Sequence, residues 1–309
     1  MVTVALYIFI FTYWVDVADL VDRLQTTRVQ YVLVAVVLYS IGQMISAYKW
    51  YLLLKPIRLV TSYGRAVAFY FIGMFFNIFL PTIVGGDAVK AILLSRETGA
   101  TGRATMSVFM ERNVGLLALL TIATVAAWYA PPVRLLGLSL PAVVLLLLVG
   151  YIAANLVLAN PRAYAAADAI VAATPLGAMR HRASSLYEGF VPYRSHIGVL
   201  TIAVGLSFLF QAVVIGVVFL NALALGQSFS ISALAVFVPL ISLAGMVPVT
   251  VNGLGVREAL YVLLFGQLGT SHDLSVSLAL LYLAVTFMAS LPGGIVYALL
   301  RGRGEPRGV

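Results

Sequence analysis

The sequence predicts an all-α polytopic membrane protein that forms a single integral membrane domain over residues 1–309. Of its 309 residues, 62% are hydrophobic and only 10% are charged, and its mean hydropathy of +1.04 excludes a soluble globular domain. Several apolar runs have the length of a bilayer-crossing helix. Two further apolar regions are interrupted by proline and glycine. Together these observations predict about six transmembrane helices and two re-entrant helical hairpins.

Six apolar runs are predicted to cross the membrane. They occupy residues 2–15, 29–54, 105–129, 137–159, 199–224 and 274–299. The first run lacks the basic start and small-residue cleavage site of a secretory signal, so we expect it to be retained as a helix. Trp14, Trp50 and Trp128 stand at the ends of three runs, where amphipathic rings prefer the headgroup layer.

Residues 66–99 and 232–268 are apolar but broken near the middle. We interpret both as re-entrant hairpins, because the backbone groups that proline and glycine free are tolerated at membrane depth only inside protein or beside a polar cavity. The two breaks share the pattern P-x4-G-x2-V-[KR] at an offset of 167 residues. The matched residues are Pro81 and Pro248, Gly86 and Gly253, Val89 and Val256, and Lys90 and Arg257. This match predicts an internal repeat.

The predicted topology inverts the second repeat relative to the first, because three crossings separate the two hairpins. A cytoplasmic N-terminus places most basic residues of the loops inside, as in the cytoplasmic membrane of a cell. They are Lys49, Lys55, Arg58, Arg65, Arg96, Arg103, Arg162, Arg180, Arg182, Arg194, Arg301, Arg303 and Arg307, against Arg23, Arg28 and Arg134 outside. Both termini are therefore predicted to be cytoplasmic, and the inverted hairpins are expected to meet near the midplane, as in many secondary transporters.

Two points of this organisation have alternatives. The main alternative is a nine-crossing arrangement, in which the membrane is spanned by residues 232–250 and again by residues 253–268. The second stretch, at about 16 residues, is short for a span. The cytoplasmic loop 160–198 is expected to hold an interfacial helix, and a plain connector without a functional role is the favoured interpretation of this loop.

Several classes of function are excluded or disfavoured. The net charge of +8 is explained by the Lys and Arg residues that cytoplasmic loops of membrane proteins collect, so it does not require nucleic acid as a partner. There is no cysteine, and His181, His196 and His272 are far apart in sequence, so no metal centre and no cofactor are expected. The glycine pair before Lys90 lacks the frame of a phosphate-binding P-loop, which disfavours ATP-driven transport by this chain.

Lys90 and Arg257 are the leading candidates for a substrate site. Each follows a helix start whose N–H groups already favour an anion, so two such helices from opposite faces suit a phosphate such as a phospholipid headgroup. The glycines at the breaks, Gly85, Gly86, Gly253 and Gly255, let backbone N–H groups approach this anion. The alternative is that the two cations snorkel or pair locally with Asp87 and Glu258.

Glu111 and Arg112 lie about two turns into a predicted crossing helix, where a charged pair is costly unless it faces protein or water. Arg112 is expected to reach the substrate phosphate, and Glu111 to hold a basic partner or to take a proton. A purely structural intramembrane ion pair remains open for both residues. Asn77 and Asn252 flank the breaks and either cap the backbone or contact the ligand.

Four segments carry a family resemblance. They are Leu80–Ala91, Leu94–Gly99, Val108–Gly115 and Asn252–Glu258. Over nearly the whole chain the sequence resembles the lysylphosphatidylglycerol synthase transmembrane-region family. The motif G-G-D-A of that family falls on residues 85–88, its E-R pair on 111–112, and its second-repeat motif on Gly253, Gly255, Arg257 and Glu258.

The resemblance implies lipid translocation, because the membrane part of multiple-peptide-resistance factors is implicated in flipping aminoacylated phosphatidylglycerol to the outer leaflet. We therefore expect a flippase for a phosphate-bearing phospholipid, anionic or aminoacylated. In this flippase Lys90, Arg112 and Arg257 hold the phosphate, while Asp87, Glu111 and Glu258 position these cations or recognise an amine. The chain continues only to Val309 after the last predicted helix, so we expect no aminoacyl-transferase activity and no enzyme.

Two alternatives to this function stay open. One is translocation or processing of a polyprenyl-phosphate-linked sugar, and the other is an accessory role beside a membrane lipid enzyme. The expected partners are a membrane phospholipid or lipid-linked substrate and, as a candidate, a separately encoded lipid-modifying enzyme. The sequence is compatible with an oligomer.

Overall fold

The computed structural model describes residues 19, 22–23, 25–80, 85–135, 137–172, 174, 180–246 and 253–302. These residues are almost wholly α-helical, which confirms the predicted fold class. The helices are α1 Val29–Leu53, α2 Tyr63–Phe79, α3 Gly85–Thr98, α4 Thr101–Ala127, α5 Leu140–Ala159, α6 Pro161–Ala172, α7 Arg180–Phe190, α8 Ile197–Ala224, α9 Ile231–Gly245, α10 Val256–Gly266 and α11 His272–Gly302. A short antiparallel pair, β1 Arg134–Leu135 and β2 Leu138–Ser139, joins α4 to α5.

Five of the described helices are long and apolar enough to cross a membrane, namely α1, α4, α5, α8 and α11. They coincide with five of the six predicted crossings, and the sixth, residues 2–15, lies outside the described residues. The chain is therefore a multi-pass membrane protein. Helix α5 buries few of its side chains, as expected of a helix that faces lipid on most sides.

The first predicted hairpin consists of α2 and α3, which pack against each other. Glycine allows this close packing, because a Cβ on Gly73 would lie 2.7 Å from the carbonyl oxygen of Gly86, and a Cβ on Gly86 would overlap the carbonyl oxygen of Gly73. Residues 81–84 between the helices, with Pro81, lie outside the described part of the chain. Re-entry into the membrane from one face stays a prediction.

The second predicted hairpin consists of α9 and α10, which also contact each other. Residues 247–252, which include Pro248 and Asn252, lie outside the described residues. Gly253 and Gly255 have φ values of 71° and 87°, a region that favours glycine, and α10 begins directly after Gly255. The predicted backbone break is thus present before α10.

Helices α1 and α8 run antiparallel, as inverted repeats require. The backbone N–H of Arg28, before α1, donates to the carbonyl of Ala224 at the end of α8, at 2.9 Å. At the other end the hydroxyl of Tyr193, before α8, donates to the carbonyl of Leu53, also at 2.9 Å. Half-way along, a Cβ on Gly42 would lie 2.7 Å from Val213 Cγ1, so glycine permits a close crossing.

The helices on either side of the middle of the chain follow the same order and make corresponding contacts. In each half a crossing helix, a helical pair and a second crossing helix follow one another: α1, α2–α3 and α4, then α8, α9–α10 and α11. The second crossing helix of each half packs on the first hairpin helix of the other half, α4 on α9 and α11 on α2. The two halves are therefore interlocked, with α5, α6 and α7 inserted between them along the chain.

One end of the bundle collects the loops that were predicted to be cytoplasmic. Arg103 donates from Nη1 to the carbonyl of Ile57 at 3.2 Å, and Arg194 donates from Nη2 to the carbonyl of Leu158 at 2.5 Å. The segment 160–198 contains α6, α7 and a 3-10 turn at Val191–Tyr193. The segment therefore contains helices, and its cytoplasmic and interfacial placement stays a prediction.

The structure corrects one expectation about aromatic residues. Trp128 is 70% exposed at the end of α4, but Trp50 is wholly buried. The Nε1 of Trp50 donates to the hydroxyl of Ser107 at 3.0 Å, so this ring packs between α1 and α4 and is enclosed by protein instead of facing lipid headgroups. A buried indole needs such a partner for its N–H group.

Candidate functional site

A cavity of about 600 Å³ lies between the two halves of the protein. Its wall contains residues from all four helices of the first half and from all four of the second. Most of the lining is apolar or aromatic, and the charged lining residues within the described part of the chain are Asp87, Lys90, Arg112 and Arg257. A mainly apolar cavity with a few convergent polar groups is typical of a ligand site.

Lys90 reaches this cavity from the second turn of α3 and is held by two carboxylates. Its Nζ lies 2.8 Å from Glu111 Oε2 and 3.0 Å from Asp87 Oδ1. The same ammonium group stands 4.2 Å from the ring centroid of Tyr70 and 5.4 Å from that of Trp50, a cation–π arrangement. Lys90 is therefore both a cavity residue and the centre of a buried network.

Glu111 lies behind Lys90, away from the described cavity wall. Its Oε1 accepts a hydrogen bond of 2.8 Å from the hydroxyl of Tyr70 and stands 3.8 Å from Lys49 Nζ. Its side chain is only 4% exposed, so the two lysines supply the positive charge that a buried carboxylate requires. In this geometry Glu111 holds basic partners, which is one of the two roles expected from the sequence.

Lys49 is the member of this network that the sequence did not predict as a site residue. It was assigned to the cytoplasmic loops, yet it lies within α1 and is 4% exposed. Lys49 lies about one turn before the end of α1 at Leu53, so only the packing of α4 shows that it is buried beside a carboxylate.

Arg112 and Asp87 form the ion pair that faces the cavity. Arg112 Nε lies 2.6 Å from Asp87 Oδ2, and the Arg112 side chain is 44% exposed and lines the cavity. A guanidinium has five N–H donors, so the bond through Nε leaves donors for a ligand. Arg112 is the more accessible of the two cations that Asp87 binds, because Lys90 is almost fully buried.

Arg257 enters the same cavity from the first turn of α10. Its guanidinium carbon stands 5.4 Å from the ring centroid of Tyr282 on α11, and Tyr282 packs edge-on against Tyr39 of α1. The aromatic support fixes the cation beside the cavity. Lys90 and Arg257, which occupy matching positions in the two sequence motifs, are thus brought to one cavity.

Glu258 is placed differently from its neighbour Arg257. It is wholly buried and does not belong to the described cavity wall. Its Oε2 accepts a hydrogen bond of 2.5 Å from the backbone N–H of Gly255, which caps the start of α10. The observed contact is therefore structural, and the substrate role predicted for Glu258 stays untested.

The remaining predicted residues support the start of α3. Asn77 lines the cavity, and its Oδ1 accepts a hydrogen bond of 3.1 Å from the backbone N–H of Gly86. Gly86 also lines the cavity, whereas Gly85, the first residue of α3, packs on Leu80. Asn77 therefore serves as a backbone cap, one of its two predicted roles. In the residues that the structure describes, no three His, Asp or Glu side chains form a metal-binding group.

Comparison with known proteins identifies the family. The model of the lysylphosphatidylglycerol synthase TM region matches residues 1–293. The chain belongs to this family. One curated relative, UPF0104 membrane protein PH1989 of Pyrococcus horikoshii, is 24% identical over 94% of this chain and 92% of its own length. The search of solved structures found no significant match.

Membership confirms the resemblance and describes the chain as a membrane domain of the lysylphosphatidylglycerol synthase type. The sequence motifs that carried the resemblance lie on α3, α4 and at the start of α10. In this member of the lysylphosphatidylglycerol synthase TM-region family, those three segments supply every charged residue of the described cavity wall. The motifs therefore mark one place in the fold, although they are far apart in sequence.

Proposed function

We propose that this protein is a lipid flippase, which moves a phosphate-bearing phospholipid between the leaflets while the headgroup passes through the central cavity. The observation that carries the proposal is the excess of positive charge on the wall of a cavity inside a membrane protein. Among the described residues of the wall, three cations, Lys90, Arg112 and Arg257, stand against one carboxylate, Asp87. Behind the wall Glu111 also pairs with Lys90. Charged groups at membrane depth are costly and mark the path of a charged substrate.

The chemistry of the cations fits a phosphodiester. Arginine binds phosphate oxygens through two parallel N–H groups, and Arg112 and Arg257 approach from different halves of the protein. A headgroup between them is held from two sides, while its acyl chains stay in the bilayer. A cavity of about 600 Å³ is within the range that accommodates a small polar molecule.

Asp87 gives the site a means of release. Its carboxylate already binds Arg112 at 2.6 Å and Lys90 at 3.0 Å, so an arriving phosphate competes with it for the same donors. Because the phosphate must displace an existing ion pair, part of the free energy of phosphate binding is lost and the net affinity is lower. A carrier needs such reversible binding to let the lipid leave on the other side.

We propose a transporter and not an enzyme, because the carboxylates near the cavity are engaged. Asp87 accepts from two cations, and Glu111 is enclosed by Tyr70, Lys90 and Lys49. A general base must reach the proton that it abstracts, and neither carboxylate presents an oxygen without a cationic partner nearby. We place this transporter in the cytoplasmic membrane, with both termini inside.

The test is lipid movement in liposomes. Purified protein is reconstituted with phosphatidylglycerol that carries a fluorophore on one acyl chain, and dithionite is added to bleach the outer leaflet. We expect the wild type to expose the inner-leaflet lipid to bleaching faster than protein-free liposomes do. Arg257→Gln is expected to slow this phase about tenfold or more, the size of a lost charge-assisted contact.

The matched control is Arg301→Gln, which removes an exposed arginine near the end of α11. Its rate is expected to equal that of the wild type. A folded wild type that bleaches no faster than empty liposomes with phosphatidylglycerol and other phospholipids would refute the proposal. The alternative of a polyprenyl-phosphate substrate would then be tested with a fluorescent polyprenyl phosphate.

A further inference from the structure

A buried glutamine faces the cavity without a hydrogen-bond partner for its carbonyl oxygen. Gln211 of α8 lines the cavity and is only 7% exposed. Within the described residues its Oε1 is buried and accepts no hydrogen bond. A buried polar atom in this state costs free energy, so most such atoms in proteins have a partner.

A second glutamine lies at the same level on the antiparallel helix. Gln43 follows Gly42, the residue at which α1 crosses Phe210 and Val213 of α8. Gln43 is 4% exposed and lines the same cavity. Two long amide side chains, one from each half of the protein, are therefore held at the crossing of α1 and α8.

Amides of this kind are neutral and serve a different purpose from the cations of the site. The NH2 group of a glutamine can donate to a phosphate, whereas its carbonyl oxygen accepts hydrogen bonds from hydroxyl and ammonium groups. In Gln211 it is the carbonyl oxygen that has no partner. The terminal torsion of glutamine is soft, so a ligand in the cavity is able to turn the Gln211 carbonyl oxygen toward itself. The site then has cations for a phosphate and a carbonyl acceptor for a donor group.

We propose that Gln211, with Gln43 beside it, selects lipids whose headgroup carries a hydrogen-bond donor beyond the phosphate. The donor is a hydroxyl or an ammonium N–H group, and headgroups without one are poorer substrates. This inference rests on the proposed function and adds a specificity-determining residue to it. A site with an unpaired acceptor favours a ligand that supplies the donor over an analogue that lacks it.

The sharpest test compares two lipids of equal net charge. Phosphatidylethanolamine has three N–H donors on its headgroup, whereas phosphatidylcholine has three methyl groups in their place. In the liposome assay we expect the wild type to move phosphatidylethanolamine about five- to tenfold faster than phosphatidylcholine, the effect of one net hydrogen bond. Phosphatidylglycerol has hydroxyl donors and a net negative charge, so it is also expected to outpace phosphatidylcholine, and only the comparison at equal charge isolates the hydrogen-bond donor.

The variant Gln211→Met keeps the length of the side chain and removes the acceptor. It is expected to move phosphatidylethanolamine and phosphatidylcholine at equal rates, and Gln43→Met is expected to reduce the preference in part. Gln30→Met, at an exposed position of the first turn of α1, is the matched control and should keep the wild-type preference. Elution as a single species on size-exclusion chromatography shows that each variant is folded.

The outcomes separate this inference from the proposed function. A wild type that moves all three lipids equally, or a folded Gln211→Met variant that keeps the full preference, overturns the inference and leaves the flippase proposal standing. If Gln211→Met misfolds, Gln43→Met decides the question. A folded Gln43→Met variant that keeps the full preference for phosphatidylethanolamine also overturns the inference. A wild type that moves no lipid refutes the proposed function itself, and the inference fails with it.

Discussion

Lys90 Nζ and Glu111 Oε2 lie 2.8 Å apart, and both side chains are 4% exposed. This contact joins α3 to α4 at the level where Tyr70 of α2 and Lys49 of α1 meet the same carboxylate. Four helices of the first half therefore converge on one buried glutamate. The network fixes Lys90 and Asp87 in position, and the cavity wall depends on it.

Glu111→Gln should destabilise the fold, because two buried lysines lose their shared negative charge. Breaking a buried ion pair by removing one partner costs about 3–5 kcal/mol. Thermal unfolding in detergent, followed by size-exclusion chromatography, measures the loss. Glu97→Gln is the matched control, because Glu97 pairs at 2.7 Å with Arg65 at a more exposed position and should cost about 0–1 kcal/mol. Equal melting temperatures for the two variants would contradict this role of Glu111.

Arg112→Lys tests whether the cavity needs a guanidinium or only a positive charge. Lysine keeps the charge but lacks the planar fork that binds Asp87 and a phosphate together. We expect the rate of phosphatidylglycerol movement to fall about tenfold while the fold is retained. Arg65→Lys, outside the cavity wall, should have no effect on the rate. A fully active Arg112→Lys variant would show that charge alone is sufficient.

Gly86→Ala should separate α2 from α3. The added Cβ would overlap the carbonyl oxygen of Gly73, and a backbone atom in a packed helix pair has little room to shift. We expect a loss of about 1–3 kcal/mol in stability, measured by thermal unfolding. Gly205→Ala on α8 is the matched control, since its Cβ would meet nothing within 4 Å. An unchanged melting temperature for Gly86→Ala would rule out the close packing at this glycine.

Glu258→Gln distinguishes a helix cap from a substrate contact. The glutamine oxygen still accepts from the N–H of Gly255, the bond that Glu258 makes at 2.5 Å, so the start of α10 should be preserved. We expect the rate of phosphatidylglycerol movement to change less than twofold, whereas Glu258→Ala should lower stability by about 1 kcal/mol. Loss of transport in a stable Glu258→Gln variant would restore the substrate role predicted from sequence.

The crossing helices were predictable because each is a continuous apolar run, and five of the predicted runs coincide with described helices. The clustering of Lys90, Arg112 and Arg257 was also accessible, since each stands inside a membrane segment or beside a backbone break. Adjacent residues of one helix were less predictable, because the helix points their side chains in different directions. Glu111 and Arg112 are adjacent, but successive residues of an α-helix differ by about 100° in direction, so one faces Lys49 and the other the cavity.

Residues whose surroundings come from distant parts of the chain could not be placed from sequence. Trp50 and Lys49 look like the end of a crossing helix, and only the packing of α4 shows that both are buried. Glu258 looks like a partner for substrate, but the positive φ of Gly255 turns its N–H toward the carboxylate. Gln211 carries no sequence motif, and the crossing of α1 and α8 alone brings it to the cavity.

The central claim is that the headgroup passes through the cavity between the two halves. The chain has no cysteine, so a single cysteine can be placed in the cavity wall by Ser242→Cys on α9 and labelled with a negatively charged methanethiosulfonate. We predict that labelling abolishes most movement of phosphatidylglycerol in liposomes, while labelling of Thr201→Cys, at an exposed position of α8, does not. Unchanged movement after complete labelling of Ser242→Cys would contradict the account.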